Sequence, residues 1–238
     1  MGIETKEECP LMPVKANSFL VEVSGPFALF TRPEFKAERV SYDCITPSAA
    51  RGILDSLYFH PGMKWVIDRI YICNPIVLTS IRRNEVKDVI SARGVKSWIE
   101  NPHGSLSLDT SLCRTQRASL LLKDVKYVIE AHPEMTNLDM PRLTIDKICE
   151  IMKRRLEKGQ CFYQPYLGCR EYVAFFQPYT DVELPACPRS LLGEHDLGFM
   201  LLDMDYSNPE DIQPKFFRAK CNNGVIDVPS ITDEEVHG

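Results

Sequence analysis

The chain has 238 residues, 44% of them hydrophobic and 26% charged, with a formal net charge of −5. That length suits one large domain, or a domain with a substantial extension, and it is enough to bury a sizeable core. No apolar run approaches the length of a bilayer span, and the acidic, polar start from Met1 to Glu8 is unlike a signal peptide, so a cytoplasmic protein without a membrane partner is expected.

Asn17 to Val23 alternates and is rich in β-formers, which predicts a first strand. Gly25 to Pro33, punctuated by prolines, reads as a loop. Thr46 followed by Pro47 has the form of an N-cap with proline at the first helical position. Ala50, Ile53, Leu54 and Leu57 then fall on one helical face, in a helix predicted to run to about Phe59. Tyr58 lies at the edge of that stripe, where a ring can sit in the core and its hydroxyl in a cleft; without further context such a tyrosine is more often a packing residue. Trp65 to Leu78 holds strand-like runs broken at Asn74-Pro75, which gives β–α–β order.

Ser80 to Thr115 has no sustained periodicity and contains Gly94, Asn101-Pro102 and Gly104, so a long loop over about 80–115 is expected. Gln116 to Ala131 predicts two strands, or one bent strand, broken near Lys123-Asp124. A second helix is predicted from about Thr144 to Glu157, stopped by Gly159. Ile145, Ile148, Cys149, Met152 and Leu156 form its apolar stripe, with Lys147, Arg154 and Lys158 on the other side. Beyond Cys161, Glu171 to Phe176 and Gly198 to Met204 read as strands, and Asn223-Gly224 between two β-rich runs is a hairpin signal.

The charge is unevenly spread. Arg32 to Lys158 holds 21 Lys and Arg against 16 Asp and Glu, whereas Cys161 to Gly238 holds 5 against 13. A basic body with an acidic C-terminal part fits a protein that meets a polyanion on one side, although two ordinary solvated surfaces would give the same counts. The nine cysteines are scattered and odd in number, so reduced thiols are expected. No Cys or His spacing suits zinc and no carboxylate pair has two-metal spacing, so neither a metal nor another cofactor is expected. No phosphate-binding or dinucleotide fingerprint stands in a fitting context, which weighs against a metabolic enzyme.

The run from Glu38 to Pro61, with Pro75-Ile76, Arg82 to Glu85, Arg114 to Arg117, Tyr127 to His132, Lys158 to Phe162 and Pro165 to Glu171, resembles the d-type member of the fifth Cas family, the CRISPR-associated subunit of subtype I-C systems. The resemblance runs in order from about Phe27 to about Val228. It implies an α+β fold: a ferredoxin-like (RNA-recognition-type) domain over 1–160 and a C-terminal antiparallel β extension over 161–238. It also implies an endoribonuclease that cuts CRISPR repeat RNA and keeps the 5′ handle of the product within the surveillance complex, beside its backbone and large subunits. A non-catalytic scaffold that only caps the handle is the alternative.

Metal-free RNA cleavage needs a base for the 2′-hydroxyl proton, cations for the phosphorane and an acid for the departing 5′ oxygen. In the resembled family a Tyr, a Lys and the His directly after that Lys are the catalytic set. The first two fall on Tyr58 and Lys147. The His position is Ile148, which can neither carry a proton nor donate a hydrogen bond. His60 and His132 are the candidate substitutes, because imidazoles titrate near neutral pH. Lys147 lies in the first turn of its helix, where an anion is favoured, with Arg142 nearby.

Arg32, Lys36, Arg39 and Arg51 are interleaved with Phe27, Phe30, Phe35 and Tyr42, a mixture suited to single-stranded RNA, with some of the aromatics expected in the core. Arg82 and Arg83 in the expected loop, and Arg114 and Arg117 at a strand entry, are further candidate RNA contacts. Gly168 with Arg170 either permits a close backbone approach to RNA or makes a simple strand-entry turn.

Overall fold

The computed structural model describes residues 17–35, 37–102, 106–136, 143–181, 183–208 and 210–238. Lys36 and Arg142, two of the expected RNA contacts, lie outside the described residues. In chain order the elements are β1 (Phe19–Ala28), β2 (Arg39–Val40), α1 (Pro47–Leu57), β3 (Met63–Ile72), β4 (Leu78–Val86), α2 (Ala92–Glu100), β5 (Arg114–Met135), α3 (Ile145–Glu157), β6 (Phe175–Pro178), β7 (Glu194–Asp205), β8 (Gln213–Asn222) and β9 (Val225–Asp227). The strands make one sheet in the order β6-β1-β5-β3-β9-β8-β7, with β2 and β4 also paired to β5. β2 runs parallel to its neighbour, and the other pairings are antiparallel. The fold is therefore α+β, with a large, mostly antiparallel sheet and few helices.

β5 is the spine. One of its edges takes β2 at Ser119-Leu120 and then β1 from Leu122 to Ala131. The other takes β4 from Arg114 to Leu122 and then β3 from Tyr127 to Met135. On the β4–β3 edge the hand-over spans Asp124, whose φ of 51° puts a sharp bend in the strand, whereas β1 pairs on both sides of it. The expected break near Lys123-Asp124 is thus a bend inside one 22-residue strand.

α1 starts where the sequence places it. Thr46 is extended, and its Oγ1 accepts the Ala49 N–H at 3.2 Å. Ala50, Ile53, Leu54 and Leu57 are buried against the sheet, and each of the three larger side chains contributes roughly 1.5–3 kcal/mol of apolar burial. On its outer side Arg51 grips Asp203 of β7 with two hydrogen bonds, at 2.6 and 2.9 Å, and Asp55 at 2.8 Å. α3 is capped in the same way by Thr144 and buries Ile148, Met152 and Leu156. Asn223-Gly224 turns β8 into β9 with positive φ at both residues, as a type I′ hairpin requires.

Two expectations give way. Gly25 to Ala28, expected in a loop, continues β1, because β5 offers it partners out to Leu122. The stretch 80–115, expected to be a long loop, holds most of β4 and all of α2. α2 is capped by Ser91, and none of its residues is buried, so it has no core-facing stripe of the kind that marks a helix in sequence. Ala92, Val95 and Ile99, at i, i+3 and i+7, were the only signal. The described cysteines are all free thiols, and among the described residues no helix is long and apolar enough to cross a membrane.

The segment before β6 docks on the end of β1 through Leu29, whose N–H donates to the Leu167 carbonyl at 3.0 Å. Gly168 follows at φ +84°, and a Cβ there would stand 2.0 Å from the Leu29 carbonyl oxygen. Gly168→Ala is therefore expected to cost more than about 2 kcal/mol, read as a lower urea midpoint.

Candidate active site

The helix α1 ends at Tyr58, where the backbone turns extended (φ −152°, ψ 123°) while its N–H still donates to the Leu54 carbonyl at 2.9 Å. The Tyr58 carbonyl accepts the Trp65 indole N–H at 2.8 Å, which fixes it to β3. The tyrosine is 8% exposed. Its hydroxyl has no hydrogen-bond partner among the described residues and is not among the fully buried unpaired atoms, so it keeps contact with solvent. The buried ring at the edge of the helix stripe matches the position expected of an edge tyrosine. Above the ring lies the Arg155 guanidinium, its carbon 5.1 Å from the ring centroid. Arg155 also donates from Nη1 to the Leu57 carbonyl, one of the orphan acceptors at the end of α1.

Lys147 is exposed in the first turn of α3, and its backbone N–H donates to Thr144 Oγ1 at 3.3 Å. Eight residues of helix separate it from Arg155, about 12 Å along the axis. The structure thus sets Tyr58 against the C-terminal half of α3, and Lys147 near the other end. Ile148 has no exposed surface and belongs to the main core. A histidine at that position would put an imidazole into the core of this fold.

The two substitute histidines fare differently. His60 is exposed two residues beyond Tyr58, and its Nδ1 lies 2.7 Å from the Pro61 carbonyl. His132 stands opposite Val66 in the β3–β5 pairing, while Trp65 and Ile67 point to the helical side. Strand alternation therefore puts His132 on the sheet face away from Tyr58 and the helices. There its Nδ1 meets Asp68 Oδ2 at 2.6 Å and its Nε2 lies 3.5 Å from Glu134. The expectation that His132 might stand in for the family histidine fails on this geometry.

The candidate arginines divide by partner. Arg51 pairs with both Asp203 and Asp55, which ties α1 to β7 and neutralises its charge. Arg32 pairs with Asp43 at 3.1 Å and lies over the Tyr42 ring. Arg83 and Arg117 stand directly opposite each other across β4 and β5, a like-charge pair that would repel. Glu85 relieves it, lying 2.6 Å from Arg83, 3.6 Å from Arg117 and 3.8 Å from Arg39; Arg83 also reaches Glu171. The hydrogen bond from Arg83, with Arg39 and Arg117 adding to it, holds the Glu85 carboxyl below its usual range. Arg82, Arg114 and Arg170 make no ion pair among the described residues.

Sequence reasoning missed two features beside Tyr58. One is Arg155 itself. The other is Phe162-Tyr163, whose N–H groups both point to the Ser56 carbonyl, at 2.8 and 3.4 Å. Phe162 is 81% exposed. Tyr163 closes a slot of about 230 Å³ whose floor is the small-residue side of α1, Ser48, Ala49, Gly52 and Ser56. The run of small residues on α1 opposite its apolar stripe was the available signal. No group of three or more potential metal ligands gathers among the described residues.

A family model described as CRISPR-associated protein (Cas_Cas5), of the Cas5d type, matches residues 18–229. The chain is 46% identical over 226 residues to a Mannheimia succiniciproducens protein named CRISPR pre-crRNA endoribonuclease Cas5d, covering 93% of this chain and 99% of that one. It is 36% identical over 236 residues to a Thermus thermophilus protein of the same name, covering 91% of this chain and 93% of that one. A crystal structure of a CRISPR-associated protein superposes with a TM-score of 0.65 at 25% identity, covering 93% of this chain and 96% of the other.

The depressed Glu85 carboxyl has a consequence for stability against pH. Its contribution is present above the unfolded-state value and is lost as pH falls through the folded-state value. The stability difference between the unmodified protein and Glu85→Gln should therefore be largest near neutrality and shrink between about pH 5 and about pH 3. Denaturation across that range would show it; a constant difference would mean that the carboxylate does not neutralise the arginines.

Proposed function

Because the chain belongs to the Cas5d family of CRISPR-associated proteins, we propose that it processes CRISPR repeat RNA and retains the 5′ handle of the product. It is a pre-crRNA endoribonuclease. The observation that carries the reading at the level of the site is Tyr58, its backbone tied to β3, its ring under Arg155 and its hydroxyl without a hydrogen-bond partner among the described residues. Its position matches the tyrosine of the family's catalytic set.

The reaction is an in-line transesterification. The ribose 2′ oxygen bonds to phosphorus as the bond from phosphorus to the 5′ oxygen breaks, leaving a 2′,3′-cyclic phosphate and a 5′-hydroxyl. Tyr58 Oη gives its proton to the departing 5′ oxygen, the 2′-hydroxyl proton leaves to water, and the phenolate is reprotonated from water. Lys147, at the N-terminal end of α3, holds a phosphate where its own charge and the free helix N–H groups add together. His60, two residues from Tyr58, is the remaining histidine on hand for proton transfer.

Arg82, Arg114 and Arg170, without ion pairs among the described residues, have their charge available to RNA phosphates. Arg39, Arg83 and Arg117 form a cluster only partly neutralised by Glu85 and Glu171. Around the sheet, the order β6-β1-β5-β3, with α1 between β1 and β3 and α3 between β5 and β6, supports the ferredoxin-like assignment. β7, β8 and β9 then form the antiparallel extension within 161–238. The exposed apolar side chains Val89, Ile90, Ile99 and Leu112 on the β4–α2–β5 arm support contact with a neighbouring backbone or large subunit of the subtype I-C complex in the cytoplasm. Burial of Ile148 in the core favours the second reading, a scaffold that caps the handle without cutting.

Purified protein should cut its repeat RNA in excess chelator and leave a cyclic phosphate; activity that vanishes in chelator and returns with magnesium would remove the mechanism. Tyr58→Phe takes away one hydroxyl, so RNA affinity should stay within about threefold while the single-turnover rate falls by roughly 100-fold. A scaffold would bind the mature handle and cut nothing, with or without that hydroxyl. Arg114→Ala should reduce the slope of log affinity against log salt by about one, through loss of one phosphate contact.

A further inference from the structure

We infer that Arg155 supplies the positive charge at the cleavage centre that the residue at position 148 does not. It stabilises both the phosphorane and the phenolate that Tyr58 becomes when it gives up its proton. The inference rests on the endoribonuclease reading above.

The guanidinium is held in place without being neutralised. Its Nη1 donates to the Leu57 carbonyl and its central carbon lies over the Tyr58 ring, 5.1 Å from the centroid. Among the described residues no carboxylate pairs with it. Arg32, Arg39, Arg51, Arg83 and Arg117 all have acidic partners. Guanidinium presents five N–H donors in a fixed fork, and among the described residues Arg155 uses one of them, on Leu57. A half-buried, fixed cation over the tyrosine ring, unpaired among the described residues, is the arrangement that stabilises developing negative charge without reorganising during the reaction.

The geometry also separates Arg155 from a purely structural tie. The tie to Leu57 needs one N–H of suitable reach, which glutamine also carries. The electrostatic role needs the charge. Arg155 is poorly replaced by lysine as well, since a single ammonium cannot both bond Leu57 and fork onto a phosphate.

The test compares Arg155→Ala and Arg155→Gln with the unmodified protein, all in the full chain. Single-turnover cleavage of the repeat RNA is read beside affinity for the same RNA made non-cleavable by a 2′-deoxy residue at the scissile position. Both variants should lose about 100-fold in rate, with affinity within about threefold because one phosphate contact among several is lost. Guanidinium ion added at millimolar concentration should restore part of the rate of Arg155→Ala. Full activity in Arg155→Gln would overturn the inference and leave only the structural tie. So would a loss of affinity with the rate per bound complex unchanged. Should the unmodified protein cut nothing, the endoribonuclease reading and this assignment fall together; a cutting protein indifferent to Arg155→Gln removes this assignment alone.

Discussion

β5 is the constraint from which the rest follows. Four strands hang on one strand, two on each of its edges, and the bend at Asp124 lies where β4 gives way to β3. Because the side-chain period of a strand is two, the register of β5 also decides which face each residue meets. Tyr127, Ile129 and Ala131 are sent into the core under the helices, and Glu130, His132 and Glu134 are sent to the other side. α1 and α3 can then lie together on one face, which brings the end of α1 under Arg155.

Charge in this protein is sorted by partner more than by location. Some arginines act as bolts: Arg51 joins α1 to β7, and Arg69 lies between Glu130 and Asp227. Others share a single carboxylate, as Arg39, Arg83 and Arg117 share Glu85. A third set is left with charge to spend on a ligand. The acidic C-terminal part is thus more than a counterweight to a basic body, since Asp203 of β7 neutralises the guanidinium of Arg51 on α1.

Local signals carried much of the architecture. The Thr46-Pro47 cap, the stripes of both long helices, the interruption at Lys123-Asp124 and the Asn223-Gly224 turn each depend on residues close together in the chain, and the fold keeps them. What sequence could not show depends on distant partners. Arg51 looks like any basic residue until Asp203, 152 positions away, is placed beside it. His132 reads as a free imidazole until the register with β3 turns it away from the helices. α2 escapes notice because none of its residues is buried, so it carries no core-facing stripe. Tyr58 was legible as an edge residue, and as a family match; the cation above it was not, because no local pattern links the end of one helix to the far turn of another.

The end of α1 is finished by residues made much later. The Leu57 carbonyl waits for Arg155, 98 positions downstream, and the Ser56 carbonyl waits for Phe162. At ribosomal speeds of about 5–20 residues per second, the interval is roughly 5–20 s. Throughout it the nascent chain carries the tyrosine without its guanidinium and without a settled helix terminus. On this clock the end of α1 stays unfinished until about two-thirds of the 238 residues have been synthesised.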